Sequence, residues 1–94
     1  MGDRQRAVRA RVLGKVQGVG YRNWTRAEAA RLGLMGWVRN ERDGSVTVWF
    51  AGADAAVSTM TERLWQGPPG TAVSRIDLEE LDTWTTPGDF RIVA

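Results

Sequence analysis

Val8, Ala10 and Val12 alternate with Arg9 and Arg11, the period of two that puts one face of a β-strand inside and the other in water. From Tyr21 the spacing becomes helical, with Tyr21, Thr25, Ala29 and Leu32 on one side and Arg26 and Arg31 elsewhere. Gly33 follows as the expected left-handed cap, and Leu34 is placed to fold back on the last turn. Residues 36–42 and 45–50 read as two strands of a hairpin about Asp43-Gly44, a two-residue turn signal, with Val46, Val48 and Phe50 on one face. Asp54 stands where it caps a second helix, whose Val57, Met60, Thr61 and Leu64 follow the i, i+3, i+4, i+7 rule up to Gly67-Pro68-Pro69-Gly70. Residues 73–81 return as a strand in which Ile76 and Leu78 alternate while Leu81 falls out of register, which predicts a bulge or a strand end near Glu80. Phe90-Arg91-Ile92 is a further short strand after a turn at Pro87-Gly88.

The order is β-α-β-β-α-β with an extra strand, and two amphipathic helices on one face of a sheet bury both apolar stripes. This is an α+β plan, the ferredoxin-like split βαβ sandwich, with an antiparallel sheet of four to five strands and two helices on one face. One domain over residues 1–94 is expected, with residues 1–6 as a flexible N-terminal tail. Such a plan hosts many chemistries, so function must come from a site.

Composition narrows the class. The 94 residues are 43% hydrophobic and include five tryptophans, enough for one modest core. Net charge is only +2, because twelve arginines and one lysine face eleven acids, and there is no histidine. A mild positive field helps to recruit a small anion but is weak evidence for nucleic acid. Without cysteine there is no disulfide frame, thiolate nucleophile or zinc-thiolate site. The start, Met1 to Arg6, has no apolar run behind it, so neither a signal peptide nor a membrane span is expected, and Arg6 breaks the myristoylation pattern. A cytoplasmic monomer is the expectation.

Between the first strand and the first helix lies Gly14-Lys15-Val16-Gln17-Gly18-Val19-Gly20-Tyr21-Arg22, with three glycines, no acid and a closing arginine. A strand-to-helix turn aims unpaired N–H groups at one point, and the helix dipole adds partial positive charge there. Glycines allow the left-handed angles of such a nest. Arg22 adds a planar fork of donors suited to phosphate or carboxylate. A Walker A loop is excluded, since the only lysine, Lys15, directly follows the first glycine. A dinucleotide fingerprint would need glycine at position 23, which is Asn23.

The missing residues also speak. With no His and no Cys, Ser45, Ser58 and Ser74 have nothing to activate them, so an enzyme built here needs an easy reaction. Hydrolysis of a mixed carboxylic-phosphoric anhydride qualifies, because the departing carboxylate has a conjugate-acid pKa of about 4. For phosphoryl transfer the protein mainly positions and stabilises charge, which a nest and an arginine supply. Asn40, on the strand Trp37-Val38-Arg39-Asn40, has both donor and acceptor and suits the orientation of a water.

The stretch Leu13 to Arg22, LGKVQGVGYR, resembles the first signature of the acylphosphatase family. Gly36 to Gly52, GWVRNERDGSVTVWFAG, is similar to the second, with Asn40 as its fifth residue and Gly44, Val46 and Gly52 spaced as there. Leu32-Gly33-Leu34, Gly67-Pro68-Pro69 and Phe90-Arg91-Ile92 also resemble the family, so the likeness spans about Val8 to Val93. It implies a five-stranded ferredoxin-like fold and hydrolysis of acyl phosphates, with inorganic phosphate as product and inhibitor. It further implies that the backbone of Val16, Gln17, Gly18, Val19, Gly20 and Tyr21 holds the substrate phosphate, that Arg22 grips its oxygens and that Asn40 positions the water. No metal and no organic cofactor belong to that picture. Tyr21 stands where phenylalanine is common, and Thr71 where alanine is frequent; neither touches Arg22 or Asn40.

Competing readings remain on the residues alone. The seat also suits a non-catalytic module that binds an anion or nucleic acid, and Trp24, Trp37, Trp49, Trp65 and Trp84 with nearby arginines suit base stacking. The tryptophans are scattered and no aromatic-rich RNA-binding octamer is present, so core or half-buried packing is expected and nucleic acid is not. Asp77, Glu79, Glu80 and Asp82 read as a solvated strand face rather than a cation site.

Overall fold

The alternating first segment forms strand β1 (Gln5–Lys15), followed by helix α1 (Tyr21–Arg31), strands β2 (Met35–Asn40) and β3 (Val46–Ala53), helix α2 (Asp54–Arg63), and strands β4 (Ala72–Leu81) and β5 (Phe90–Ile92). These come from a computed structural model that describes residues 4–84 and 88–93. The sheet order is β4-β1-β3-β2-β5. Each helix links two parallel strands with another strand between them, β1-α1-β2 about β3 and β3-α2-β4 about β1, the split βαβ arrangement expected. β1 runs antiparallel to β3 and β4, and β2 antiparallel to β3. β5 lies parallel to β2, so the sheet is mixed: the chain leaves at one edge, β4, and returns at the other.

Register explains the core. Val8, Ala10 and Val12 face Phe50, Val48 and Val46 across the β1/β3 pair, and Val38 faces Val48 from β2. Tyr21 and Ala29 of α1, and Val57, Met60 and the following Leu64 at the end of α2, close over this face, all nearly inaccessible. Each large side chain so buried contributes about 1.5–3 kcal/mol. Gly33 takes the left-handed angle, and Leu34 donates its N–H to the Ala29 carbonyl at 2.9 Å, which ends α1 as its sequence required.

Several local expectations change. β1 starts at Gln5, so Gln5 and Arg6 are strand rather than tail, because Arg6 donates to Asp54 at 2.8 Å and to Glu80 at 2.6 Å. Asp54 is the first residue of α2, not its cap; Ala53 takes that place, and the Asp54 carboxylate is engaged by Arg6. The hairpin strands stop at Asn40 and Val46, so the connection is the longer Glu41–Ser45 loop, closed by Glu41 N–H to the Ser45 carbonyl at 2.8 Å. Asp43 accepts from the Ser45 N–H and hydroxyl and from Arg11, which fixes the turn. The bulge is at Ser74, opposite the Leu13/Gly14 step, while Glu80 pairs regularly with Val8 and Leu81 with Ala7 on the outer face. Pro87 lies outside the described residues, and Gly88 has φ 91°.

On the outer face, Arg9 pairs with Glu79, Arg11 with Asp43 and Arg39 with Glu41. Exposed pairs like these add about 0–1 kcal/mol each. Trp37 and Trp49 are cross-strand neighbours there, half-buried, with the Arg39 guanidinium 4.9 Å from the Trp37 ring centroid. Trp24 packs on the core 5.5 Å from Tyr21, whereas Trp65 is exposed, against the packing expected of it. Among the described residues no helix is long and apolar enough to cross a membrane.

Candidate active site

The glycine loop runs from the end of β1 to the start of α1 and is pinned at both ends by buried side chains, Val16 and Tyr21. Between them Gly18 and Gly20 have φ 77° and 84°, and a Cβ at either would meet no protein atom within 4 Å. These glycines are therefore needed for the left-handed backbone and not to avoid a clash with the protein. Gly20 caps α1 with no side-chain hydrogen bond, and the first turn of α1 carries no acid. Among the described residues, no backbone N–H from Val16 to Gly20 donates to another backbone carbonyl. Unspent donors at the positive end of a helix dipole are what an anion requires.

Behind the loop, Tyr21 donates its phenol hydrogen to the Leu64 carbonyl at 2.6 Å. Burial pushes the phenol above its ordinary pKa, so it stays a neutral donor. Tyr21 thus anchors the helix start from inside.

Arg22, in the first turn of α1, is exposed and takes part in none of the ion pairs among the described residues. Most of the arginines are committed to carboxylates; this guanidinium is not. Asn40, the last residue of β2, is held opposite Val46. Its Oδ1 is buried and has no hydrogen-bond partner. A buried acceptor without a donor is costly unless a ligand or water supplies one.

Arg22 and Asn40 line one cleft of about 280 Å³ together with Val16, Gln17, Gly18, Gly20 and Tyr21. Val19 is the one expected loop residue absent from this lining; its side chain packs against the core. Asn23 and Ile92 complete the wall. Sequence reasoning assigned them nothing, although Asn23 follows Arg22 directly and Ile92 sits on β5, brought beside Val38 by the parallel pairing. Gln17 was expected to serve through its backbone, yet its side-chain amide reaches the carbonyls of Glu41 and Ser45 at 2.8 and 3.0 Å.

A larger, shallow depression of about 1020 Å³ lies on the outer sheet face among Arg9, Arg11, Trp37, Arg39 and Thr47. Its Arg9, Arg11 and Arg39 carry carboxylate partners, and Arg42 is its one arginine outside the ion pairs of the described residues, whereas a polyanion needs several free cations. Asp77, Glu79 and Glu80 are paired with Arg75, Arg9 and Arg6, and no cluster of three acids able to hold a metal occurs among the described residues.

The sequence matches the family model described as Acylphosphatase over residues 8–92. An acylphosphatase of Mesorhizobium japonicum is 76% identical over 94 residues, all of both chains. Among solved structures, an acylphosphatase from Bacillus subtilis superposes with a TM-score of 0.92 at 34% identity, covering 95% of this chain and 99% of that one. One from Coxiella burnetii superposes with a TM-score of 0.89 at 38% identity, covering 95% and 93%. A loop with unspent donors and a free arginine are thus set in a frame and a sequence shared along nearly the whole length, and the chain is an enzyme of the acylphosphatase family.

Proposed function

We propose that this enzyme splits acyl phosphates into a carboxylate and inorganic phosphate, with the loop N–H groups of residues 16–21 and Arg22 holding the phosphoryl group and Asn40 holding the attacking water. The observation that carries the reading is that Asn40, whose Oδ1 is buried and unpartnered, lines the same cleft as Arg22, whose guanidinium is uncommitted among the described residues. The N–H groups and the guanidinium fork donate to the phosphoryl oxygens and stabilise the charge that grows on them in the transition state. Asn40 accepts a hydrogen bond from water and holds its oxygen in line with the scissile P–O bond. The water oxygen bonds to phosphorus, the P–O bond to the acyl group breaks, and its electron pair leaves on the carboxylate. The water proton passes to a phosphoryl oxygen of the substrate, giving dihydrogen phosphate. With a conjugate-acid pKa of about 4, the carboxylate leaves without a general acid. That fits a chain with no histidine.

The resemblance and the relatives' names support the substrate class, and the geometry supports the division of labour. The same reading has the enzyme acting as a cytoplasmic monomer without metal or organic cofactor. Steady-state hydrolysis of an aryl acyl phosphate, followed by ultraviolet absorbance, tests it: turnover with competitive inhibition by inorganic phosphate is expected. Turnover that phosphate does not inhibit would contradict the seat.

A further inference from the structure

Both amide protons of Gln17 are spent on the mouth of the β2–β3 hairpin, on the carbonyl of Glu41 at 2.8 Å and on that of Ser45 at 3.0 Å. Glu41 directly follows Asn40, and Ser45 directly precedes Val46, the residue paired with Asn40. The hairpin is already closed without this amide, by Glu41 N–H to Ser45 at 2.8 Å and Gly44 N–H to Glu41 at 3.2 Å. What the amide adds is a tie between the hairpin and the phosphate loop. The loop is otherwise held by its buried Val16 and Tyr21 side chains and by Val19 against the core, while its N–H groups from Val16 to Gly20 make no bond to a backbone carbonyl among the described residues.

We propose that the Gln17 side chain is a positioning residue that clamps the phosphate loop to the end of the strand carrying Asn40, and so sets the distance between the seated phosphorus and the water. The proposal rests on the reading of Asn40 given above. In-line attack needs the reacting atoms held about 3–3.5 Å apart, and a displacement of about 1 Å lowers turnover on the order of 100-fold. The two reacting partners sit on different elements, the phosphate on the β1–α1 loop and the water on β2, and Gln17 bridges them. A group with this role acts on turnover more than on phosphate affinity, because the seat is built from one continuous segment, residues 16–22, whichever way the hairpin sits.

The test is a double-mutant cycle on Gln17→Met and Asn40→Ala, the former keeping the length of the side chain while removing both donors. Gln17→Met is expected to lower kcat about 10- to 100-fold and to leave the inhibition constant of inorganic phosphate within about threefold. The double variant should be no more than about threefold slower than Asn40→Ala alone, since the distance ceases to matter once the water is no longer held. Unchanged kcat in Gln17→Met, or losses that multiply, would overturn the proposal and leave the role of Asn40 intact. Full turnover in Asn40→Ala would instead overturn the Asn40 reading and this one with it. Gln17→Glu gives a second route if the methionine variant does not fold. Its carboxylate faces two carbonyls and donates only when protonated, so its kcat relative to the unaltered enzyme should rise as pH falls through that titration, and a flat ratio would overturn the proposal.

Discussion

Tyr21 and Leu64 are joined by a 2.6 Å hydrogen bond that ties the first residue of α1 to the C-cap of α2, directly behind the phosphate loop. The last carbonyls of a helix lack intrahelical donors, and here one of them receives a phenol hydrogen in a place closed to water. This gives the hydroxyl a use at a position where the family resemblance leads one to expect phenylalanine.

Tyr21→Phe therefore leaves the Leu64 carbonyl buried without that donor. A loss of about 1–3 kcal/mol in unfolding free energy is expected, read from urea melts, with turnover little changed. The bond also sets a pH dependence. Burial holds the folded phenol neutral above its unfolded pKa of about 10, so its stabilisation is complete below that pH and is lost as pH rises beyond it. Because Tyr21 is the only tyrosine, the alkaline decline should be shallower in Tyr21→Phe. Equal declines would contradict this role.

Asp43 gives the opposite sign. Its carboxyl is held down at about 2 by the Ser45 hydroxyl, then by the Ser45 N–H and Arg11. The stabilisation is present above the unfolded pKa of about 3.9 and disappears as pH falls toward 2. Asp43→Asn should flatten the acid limb of the stability profile between those values. A limb of unchanged steepness would place the acid sensitivity elsewhere.

At Gly18 the left-handed backbone costs an ordinary residue about 1–2 kcal/mol. Gly18→Ala should lower unfolding free energy by that amount and raise KM, because the added methyl meets no protein atom but the loop it strains seats the phosphate. A loss well beyond that range would mean a clash that the open geometry does not contain.

Asn40→Ala removes the acceptor that holds water. Turnover should fall about 100-fold, while inhibition by inorganic phosphate stays within about threefold of its original strength. Unchanged turnover would remove Asn40 from the mechanism.

Much of this was legible in the chain. Alternation along β1, helical spacing from Tyr21 and the stop at Gly33 are local signals, and local signals carried the split βαβ plan and the glycine loop. Where distant groups intervened, the reading slipped. Asp54 looks like a cap until Arg6, 48 residues away, takes its carboxylate. Asp43-Gly44 looks like a two-residue turn until Ser45 and Arg11 lengthen it. Within the candidate site, Arg22 stands out by its residue type and its place after the glycines, and Asn40 mainly by the family resemblance. The amide of Gln17 does not, because its partners are backbone carbonyls 24 and 28 residues away that have no sequence signature.

The central claim is that a free guanidinium fork in the first turn of α1, beside the glycine loop, holds the phosphoryl group. Its most direct test compares hydrolysis of an aryl acyl phosphate by the unaltered enzyme, Arg22→Ala and Arg22→Lys, each checked for folding by circular dichroism. Loss of turnover in Arg22→Ala, together with a severe loss in Arg22→Lys, is the predicted result, since a single ammonium cannot replace the bidentate fork. Turnover that survives in a folded Arg22→Ala protein would contradict the account.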